Sequence, residues 1–161
     1  MNIGFVGVRD TPLVRRLAAG GVRVFACGTD DPAAGARIEV LPDAVAVARA
    51  LATPRVVWLD HADGFATERA IQDVWPECAP GDVVVDMGPG DVADARRRAA
   101  SLASARLHFV DCHVRADGLL AFGGSEDAMR VLAPYANLAG RWTHRGASGS
   151  GYHARLGSTD G

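Results

Sequence analysis

Five ionisable side chains occur where apolar segments of the sequence end: Asp60, His61, Asp86, Asp111 and His113. A histidine can accept and release a proton near neutral pH, and a neighbouring carboxylate can orient its ring. We therefore predict acid/base catalysis, in which His61 and His113 transfer protons and Asp60, Asp86 or Asp111 orients them. The alternative interpretation is that these are polar residues at strand ends, which are either solvated or cap helices.

Other kinds of catalytic chemistry find less support in the sequence. Cys112 precedes His113, but neighbours on a strand point to opposite faces, so we expect a packed, inert thiol. The histidines and cysteines match no zinc signature, and we predict no metal site. All 17 basic residues are arginine, which excludes lysine imine chemistry and lysine-dependent phosphate loops. Arg96-Arg97-Arg98 lies on a predicted helix and favours a solvated face over an anion site.

The composition is typical of one globular domain. The chain has 161 residues, of which 48% are hydrophobic, and a formal net charge of -2. A balanced charge argues against nucleic-acid binding, and no apolar run approaches the ~20 residues of a membrane helix. No secretory signal is evident at the N-terminus, and the three cysteines are odd in number, so we expect a reducing, cytoplasmic location.

Short apolar runs alternate with longer helical patterns, which predicts an α/β fold with a doubly wound, mostly parallel sheet and helices on both faces. Predicted strands are Asn2–Gly7, Val22–Cys27, Pro54–Asp60, Asp82–Met87, Leu107–Cys112, Leu119–Gly123 and Arg141–His144. Predicted helices are Thr11–Ala19, Pro32–Arg37, Asp43–Leu51, Gly64–Trp75, Asp91–Ala103 and Ser125–Leu138. We predict one domain over residues 1–145, followed by a Gly/Ser-rich tail over residues 146–161 with a short helix around Tyr152–Leu156.

Several motifs occur in a characteristic order along the chain. They are Ile3-Gly4-Phe5-Val6-Gly7, Pro54–Leu59, Pro80–Gly88, His108-Phe109-Val110-Asp111, Phe122–Ala128 and the Gly-rich stretch Gly146–Arg155. Together they resemble the N-terminal NAD(P)-binding domain of the 6-phosphogluconate dehydrogenase and β-hydroxyacid dehydrogenase family, over about residues 1–156. The resemblance implies a Rossmann-like fold, with cofactor-binding positions, if NADP or NAD binds, at Gly7, Val8, Arg9, Thr11, Gly28 and Thr29. We expect the family's all-helical second domain to be absent.

The sequence departs from the family where the family binds its cofactor and substrate. The phosphate-binding turn lacks two of its glycines and carries Asp10, a negative charge where a diphosphate would lie. Asp86-Met87-Gly88-Pro89 replaces an Asp-Gly-Gly-Asn motif, and the substrate loop is deleted between His113 and Leu119. The position of the catalytic lysine falls at Arg155, which cannot serve as a base. We therefore expect that hydride transfer has been lost.

The sequence is compatible with three functions. The first is isomerisation, dehydration or cyclisation of a small biosynthetic metabolite without any cofactor. The second is a minimal NAD(P)-binding oxidoreductase that works with a partner subunit or as a dimer, and the third is a non-catalytic binding or assembly protein. In each case we expect a homodimer or hetero-complex formed through the surface that the missing helical domain leaves uncovered, and no nucleic-acid or membrane partner.

Overall fold

The computed structural model describes residues 1–29 and 37–157, with side chains as far as residue 153. The strands are β1 (Asn2–Val6), β2 (Arg23–Cys27), β3 (Ile38–Val40), β4 (Val56–Leu59), β5 (Val83–Asp86), β6 (His108–Val114), β7 (Leu120–Gly123) and β8 (Trp142–Gly146). The helices are α1 (Thr11–Ala19), α2 (Ala44–Ala50), α3 (Gly64–Val74), α4 (Val92–Ala103), α5 (Glu126–Ala139) and α6 (Ser150–Gly157). A short 3₁₀ turn, Trp75–Glu77, follows α3.

The described strands form one sheet in the order β3-β2-β1-β4-β5-β6-β7-β8. Strands β1 to β6 are mutually parallel, whereas β7 runs antiparallel to β6 and parallel to β8. The predicted doubly wound, mostly parallel Rossmann-like sheet is confirmed. The strand order reverses between β1 and β4, because β2 and β3 lie on one side of β1 and β4 to β8 lie on the other. In open α/β sheets, ligands bind at such a point, beyond the carboxyl ends of the strands.

Hydrophobic cores cover both faces of the sheet, which explains the continuous apolar runs of its central strands. One core lies under α1 and α5 and contains a row of aromatic rings, Phe5, Trp58, Phe122 and Trp142, whose neighbouring centroids are 5.7 to 6.1 Å apart. The other core lies under α2, α3, α4 and the start of α6. Because both faces are covered, the loops at the carboxyl edge are held by rigid elements.

A polar side chain marks the start of each of the first five helices. Asp10, Asp43, Asp63, Asp91 and Ser125 each accept a hydrogen bond from the backbone N–H three residues further along. Such N-caps satisfy an amide that the helix itself leaves without an acceptor. The caps explain where each of these helices begins after the strand that precedes it.

Four features differ from the sequence predictions or lie outside the described residues. Most of the predicted helix Pro32–Arg37 lies in residues 30–36, outside the described residues, and the short strand β3 that follows was not predicted. Strand β6 continues to Val114, because its last residues pair with the antiparallel β7. Residues 149, 151 and 152 of the predicted tail are buried against the sheet. Within the described residues, no helix has the length and apolar character needed to cross a membrane.

Candidate functional site

Asp60 lies directly after β4 and holds the turn that leads from β1 into α1. Its side chain is almost fully buried, and Oδ2 accepts hydrogen bonds from the backbone N–H of Arg9 at 2.7 Å and of Asp10 at 2.8 Å. Its Oδ1 accepts a third hydrogen bond from Arg9 Nε at 3.1 Å. These contacts form because β4 pairs with β1, which places the two strand ends side by side. The carboxylate therefore positions Arg9 and the turn.

The same turn is where the family resemblance places a diphosphate, bound by backbone N–H groups at a helix start. The amide of Gly7 donates to the carbonyl of Cys27 at 3.0 Å, and those of Arg9 and Asp10 donate to Asp60. All three amides thus have acceptors within the protein. In this arrangement the carboxylate of Asp60 accepts from the two amides of Arg9 and Asp10 at the start of α1.

The other predicted cofactor positions surround this turn. Gly28 has a φ of +69°, and a Cβ added there would lie 3.4 Å from the amide nitrogen of Gly7, so the two backbones approach closely. Val8 is partly buried against the core under α1 and α5. Thr11 is the first residue of α1, and Thr29 is the last described residue before the gap. Gly28 thus packs against the turn, and the role of these positions in cofactor binding stays a prediction.

His61 packs onto the first glycine of the turn. A Cβ added at Gly7 would lie 2.8 Å from His61 Nδ1, and this glycine has a φ of +72°. The Nε2 atom of His61 is buried and has no hydrogen-bond partner among the described residues. His61 lies outside the lining of the depression that contains His113.

His113 lines an open depression of about 370 Å³ at the carboxyl edge of the sheet. Arg9, Asp10 and Asp60 supply its charged groups, and Met87 adds apolar surface. Because β6 continues past its predicted end, His113 lies within this strand, opposite Ala121 of β7, and does not follow the strand. An imidazole beside a guanidinium and carboxylates can bind a small charged molecule and transfer protons to or from it.

Asp86 ends β5 in a buried polar network. Its Oδ2 accepts hydrogen bonds from Arg98 Nη1 at 3.1 Å and from the hydroxyl of Tyr152, and its Oδ1 accepts one from the amide of Gly88 at 2.8 Å. Arg98 is 4% exposed and also donates to Glu68 at 2.8 Å, so it is not on the solvated helix face that the sequence predicted. Burial raises the pKa values of both Asp86 and the Tyr152 hydroxyl. The network joins β5 to α3, α4 and α6.

Asp111 pairs in register with Asp86 on the neighbouring strand β6 and is also fully buried. Its Oδ1 accepts a hydrogen bond from the amide of Gly149 at 2.5 Å, and its Oδ2 accepts one from the amide of Tyr152 at 2.7 Å. Burial raises the pKa of Asp111, and the amide hydrogen bonds oppose this effect. The contacts attach the start of α6 to the sheet. Neither Asp86 nor Asp111 lines the depression beside His113.

Cys112 is fully buried in the core under α1 and α5. Burial raises the pKa of its thiol well above the ordinary value, which suppresses the nucleophilic thiolate. This environment agrees with the predicted inert thiol. Among the described residues, no group of three or more histidine, cysteine, aspartate or glutamate side chains is placed to hold a metal ion.

The partners of the buried carboxylates were not predicted from the sequence. Arg98 and Tyr152 complete the network around Asp86, and Arg9 completes the contacts of Asp60. One signal was available, since a carboxylate at the end of an apolar strand requires hydrogen-bond donors once it is buried. That signal indicates that donors exist, but it does not say where in the sequence they lie.

The sheet order and the turn from β1 into α1 define a Rossmann-type domain. Residues 2–138 match the family model described as the NAD binding domain of 6-phosphogluconate dehydrogenase. Because this match covers most of the sequence, the chain belongs to that family.

Individual relatives agree with this assignment. The NADP(+)-dependent, decarboxylating 6-phosphogluconate dehydrogenase of Bacillus subtilis is 28% identical over 122 residues, which are 67% of this chain and 26% of the relative. The Mycobacterium tuberculosis 3-hydroxyisobutyrate dehydrogenase structure with L-serine is 26% identical, with a TM-score of 0.78, and the match covers 96% of this chain and 57% of that chain.

A more distant structure shares the fold. The imine reductase from Myxococcus stipitatus in complex with NADP+ is 14% identical, with a TM-score of 0.86 over 99% of this chain and 60% of that chain. This chain therefore spans 26% of the length of its curated relative and 57% to 60% of these two solved chains.

Proposed function

We propose that this chain is a 6-phosphogluconate dehydrogenase-like protein that has lost hydride transfer and catalyses cofactor-independent acid/base chemistry on a small metabolite in the cytoplasm. The depression beside His113 is the proposed site, and isomerisation, dehydration and cyclisation are the candidate reactions. The observation that carries the proposal is the buried carboxylate of Asp60, bonded to the amides of Arg9 and Asp10.

Electrostatics argues against a dinucleotide at this turn. A diphosphate approaching the amides of Arg9 and Asp10 would meet the carboxylate of Asp60 within a few ångströms, and like charges repel more strongly where water is excluded. Displacing Asp60 would also break its three hydrogen bonds, and leaving such a buried group unsatisfied costs about 1–3 kcal/mol or more. Cofactor binding would have to offset both effects.

His113 is the group that we propose to transfer protons. Its imidazole would take a proton from a C–H or O–H group of the substrate and return it to another atom, which completes an isomerisation without a second base. In a dehydration, the returned proton would leave with the hydroxide as water. The half-exposed side chain of Arg9 borders the same depression and would bind a substrate carboxylate, while Asp60 positions that arginine through its Nε.

A cofactor titration tests the loss of dinucleotide binding. NADH and NADPH would each be added at millimolar concentration while the melting temperature is followed. A ligand at 100 times its Kd stabilises a protein by about 2.7 kcal/mol, so binding would be easily detected. We expect no shift with either cofactor, and a clear rise with one of them would contradict this part of the proposal.

An isotope experiment tests the proton transfer. Small hydroxy and keto acids would be incubated with the protein in D₂O, and deuterium incorporation into each compound would be followed by NMR. We expect His113→Ala to abolish incorporation and His108→Ala to retain it, because His108 starts β6 at the opposite edge of the sheet. Incorporation that is equal in His113→Ala and wild type, or that requires NADH or NADPH, would contradict the proposed role.

The second candidate function is a minimal NAD(P)-binding oxidoreductase that works with a partner subunit or as a dimer. Family membership favours it, as does the fold shared with an imine reductase whose structure contains NADP+. This candidate requires Asp60 to leave the turn when the cofactor binds. It therefore predicts a cofactor-dependent rise in melting temperature, the opposite result in the titration above.

A further inference from the structure

A second concave surface, of about 310 Å³, lies between the start of α4, the end of β8 and the first turn of α6. It shares no lining residue with the depression beside His113. Its volume is at the lower end of the roughly 300–1,000 Å³ that small-molecule sites occupy. We call this surface the α4–α6 cavity.

Basic side chains from three elements converge on the α4–α6 cavity. Arg96 comes from α4, Arg145 from β8 and His153 from α6, and no described lining residue is acidic. In the described part of the chain, Arg96 and Arg145 make no ion pair, whereas the adjacent Arg97 and Arg98 both bond to Glu68. Two unpaired guanidinium groups at one concave surface raise the local positive potential, which attracts anions.

Hydrogen bonds hold the floor of the cavity in place. The hydroxyl of Ser148 donates to the carbonyl of Phe109 at 2.9 Å, and the amide of Gly149 donates to Asp111. Gly149 has a φ of +102°, and a Cβ added there would lie 2.9 Å from Val92, so a side chain would strain the loop and clash. The loop before α6 is therefore fixed in the position that presents Ser150 to the cavity.

We propose that the α4–α6 cavity binds the phosphate group of a small phosphomonoester. Planar guanidinium groups form paired hydrogen bonds with phosphate oxygens, so Arg96 and Arg145 supply the principal contacts. The Ser150 hydroxyl and the His153 ring supply further donors at the same surface. The helix dipole of α6 adds little, because the buried carboxylate of Asp111 already accepts from the amides at its start.

The cavity's size favours a phosphomonoester over free phosphate, since it leaves room for an organic group. Inorganic phosphate, glycerol 3-phosphate and acetate distinguish the ligand classes in isothermal titration calorimetry. We expect binding of both phosphate compounds, with glycerol 3-phosphate at least as tight, and markedly weaker binding of acetate. If acetate binds as tightly as phosphate, the cavity is not specific for phosphate groups and the proposal is wrong. If inorganic phosphate binds and glycerol 3-phosphate does not, the ligand is not a phosphomonoester.

Matched variants test the location. Arg96→Ala and Arg145→Ala should each weaken phosphate binding about tenfold, as expected for loss of a hydrogen bond to a charged group. The control is the double variant Arg23→Ala/Arg130→Ala, which removes the same charge from exposed, ion-paired positions elsewhere. Retained affinity in Arg96→Ala/Arg145→Ala, or an equal loss in the control, would overturn the proposal.

Amide shifts in the wild-type protein provide a test that does not depend on variant folding. In ¹⁵N-labelled protein, inorganic phosphate should shift the amide signals of Gly149, Ser150 and His153 in a saturable manner. Shifts confined to other parts of the chain, or no shifts with millimolar phosphate, would overturn the proposal. Because Asp86 and the depression beside His113 are not involved, failure here would leave the proposed acid/base function intact.

Discussion

At the scale of single residues, Asp60 determines what the backbone amides of the first turn bond to. Its three hydrogen bonds reach two consecutive residues about 50 positions away in the sequence. The cofactor-binding turn of a Rossmann domain depends on backbone amides that are free to bind phosphate. In this turn the carboxylate of Asp60 accepts from the amides of Arg9 and Asp10, and we propose that it thereby prevents phosphate binding there.

Replacing Asp60 should therefore weaken the fold and open the turn. In Asp60→Ala the amides of Arg9 and Asp10 lose their acceptor, so we expect the free energy of unfolding to fall by about 2–3 kcal/mol, measured by urea denaturation. We also expect millimolar phosphate to shift the NMR signals of these two amides in the variant and not in the wild type. Asp63→Ala, which removes an exposed helix cap, is the control and should leave both signals unresponsive.

The titration of Asp86 should affect stability in a defined direction. Burial raises its folded-state pKa above the ordinary value of 3.8. Above that value the folded chain binds more protons than the unfolded chain, so stability from this group is present at lower pH and is lost as pH rises through the folded pKa.

The experiment compares wild type with Asp86→Asn, which cannot titrate at this position. Urea denaturation at a series of pH values should show that the wild type loses free energy of unfolding relative to the variant as pH rises above 3.8. A difference between the two proteins that is independent of pH would show that the folded-state pKa is not raised.

At the scale of elements, the start of α6 is attached to the sheet by two buried carboxylates. Asp111 accepts from its amides, and Asp86 accepts from the hydroxyl of Tyr152, which is 2% exposed. Both carboxylates were predicted as catalytic candidates, and the structure instead surrounds them with donors from the protein. Their contacts explain why a short helix at the end of the described chain is well anchored.

Removal of the Tyr152 hydroxyl should show how much its hydrogen bond to Asp86 contributes to the free energy of unfolding. Because the hydroxyl bonds to a buried carboxylate, Tyr152→Phe should lower the free energy of unfolding by about 2 kcal/mol. The matched control is Tyr135→Phe, whose hydroxyl donates to the neutral carbonyl of Asn2 at 2.7 Å, and which should cost about 1 kcal/mol. Equal losses in chemical denaturation would indicate that the charge of Asp86 adds nothing to this contact.

The elements themselves could largely be predicted from the sequence, whereas the site could not. Runs such as Val83–Val85 are buried on both faces, so their pattern alone predicts central strands. The environment of Asp60 or Asp111 depends on donors far away in the sequence, and local patterns carry no information on such pairings. His113 was identified from its position, but its place within β6 depends on pairing with β7.

At the scale of the whole molecule, large apolar side chains are exposed at the carboxyl edge of the sheet. Phe65, in the first turn of α3, is 80% exposed, and Val114 at the end of β6 is 36% exposed. The sequence predicted a homodimer or hetero-complex through a different surface, the one that the family's helical domain would cover. We propose that Phe65 and Val114 contact a second copy of the chain at this edge. Burial of an exposed aromatic side chain contributes about 1.5–3 kcal/mol.

Light scattering tests this proposal. We expect a dimer at high micromolar concentration. Phe65→Ser should weaken dimerisation by about tenfold or more, because it removes the roughly 1.5–3 kcal/mol that burial of the aromatic ring contributes. Val40→Ser is the control, because Val40 is 45% exposed on the edge strand β3, at one end of the sheet. A strictly monomeric wild type, or equal weakening by both substitutions, would argue against an interface at Phe65.

If this domain binds no dinucleotide, as we propose, its stability in the cell does not depend on the nicotinamide nucleotides. A domain that needs a dinucleotide gains stability in proportion to the logarithm of cofactor concentration, so its folded fraction follows the nucleotide pool. On our proposal, the carboxylate of Asp60 takes the place of the phosphate, so the anion that these amides bond to belongs to the polypeptide itself. The amount of folded protein should therefore be insensitive to starvation or oxidative stress that changes the ratio or supply of nicotinamide nucleotides.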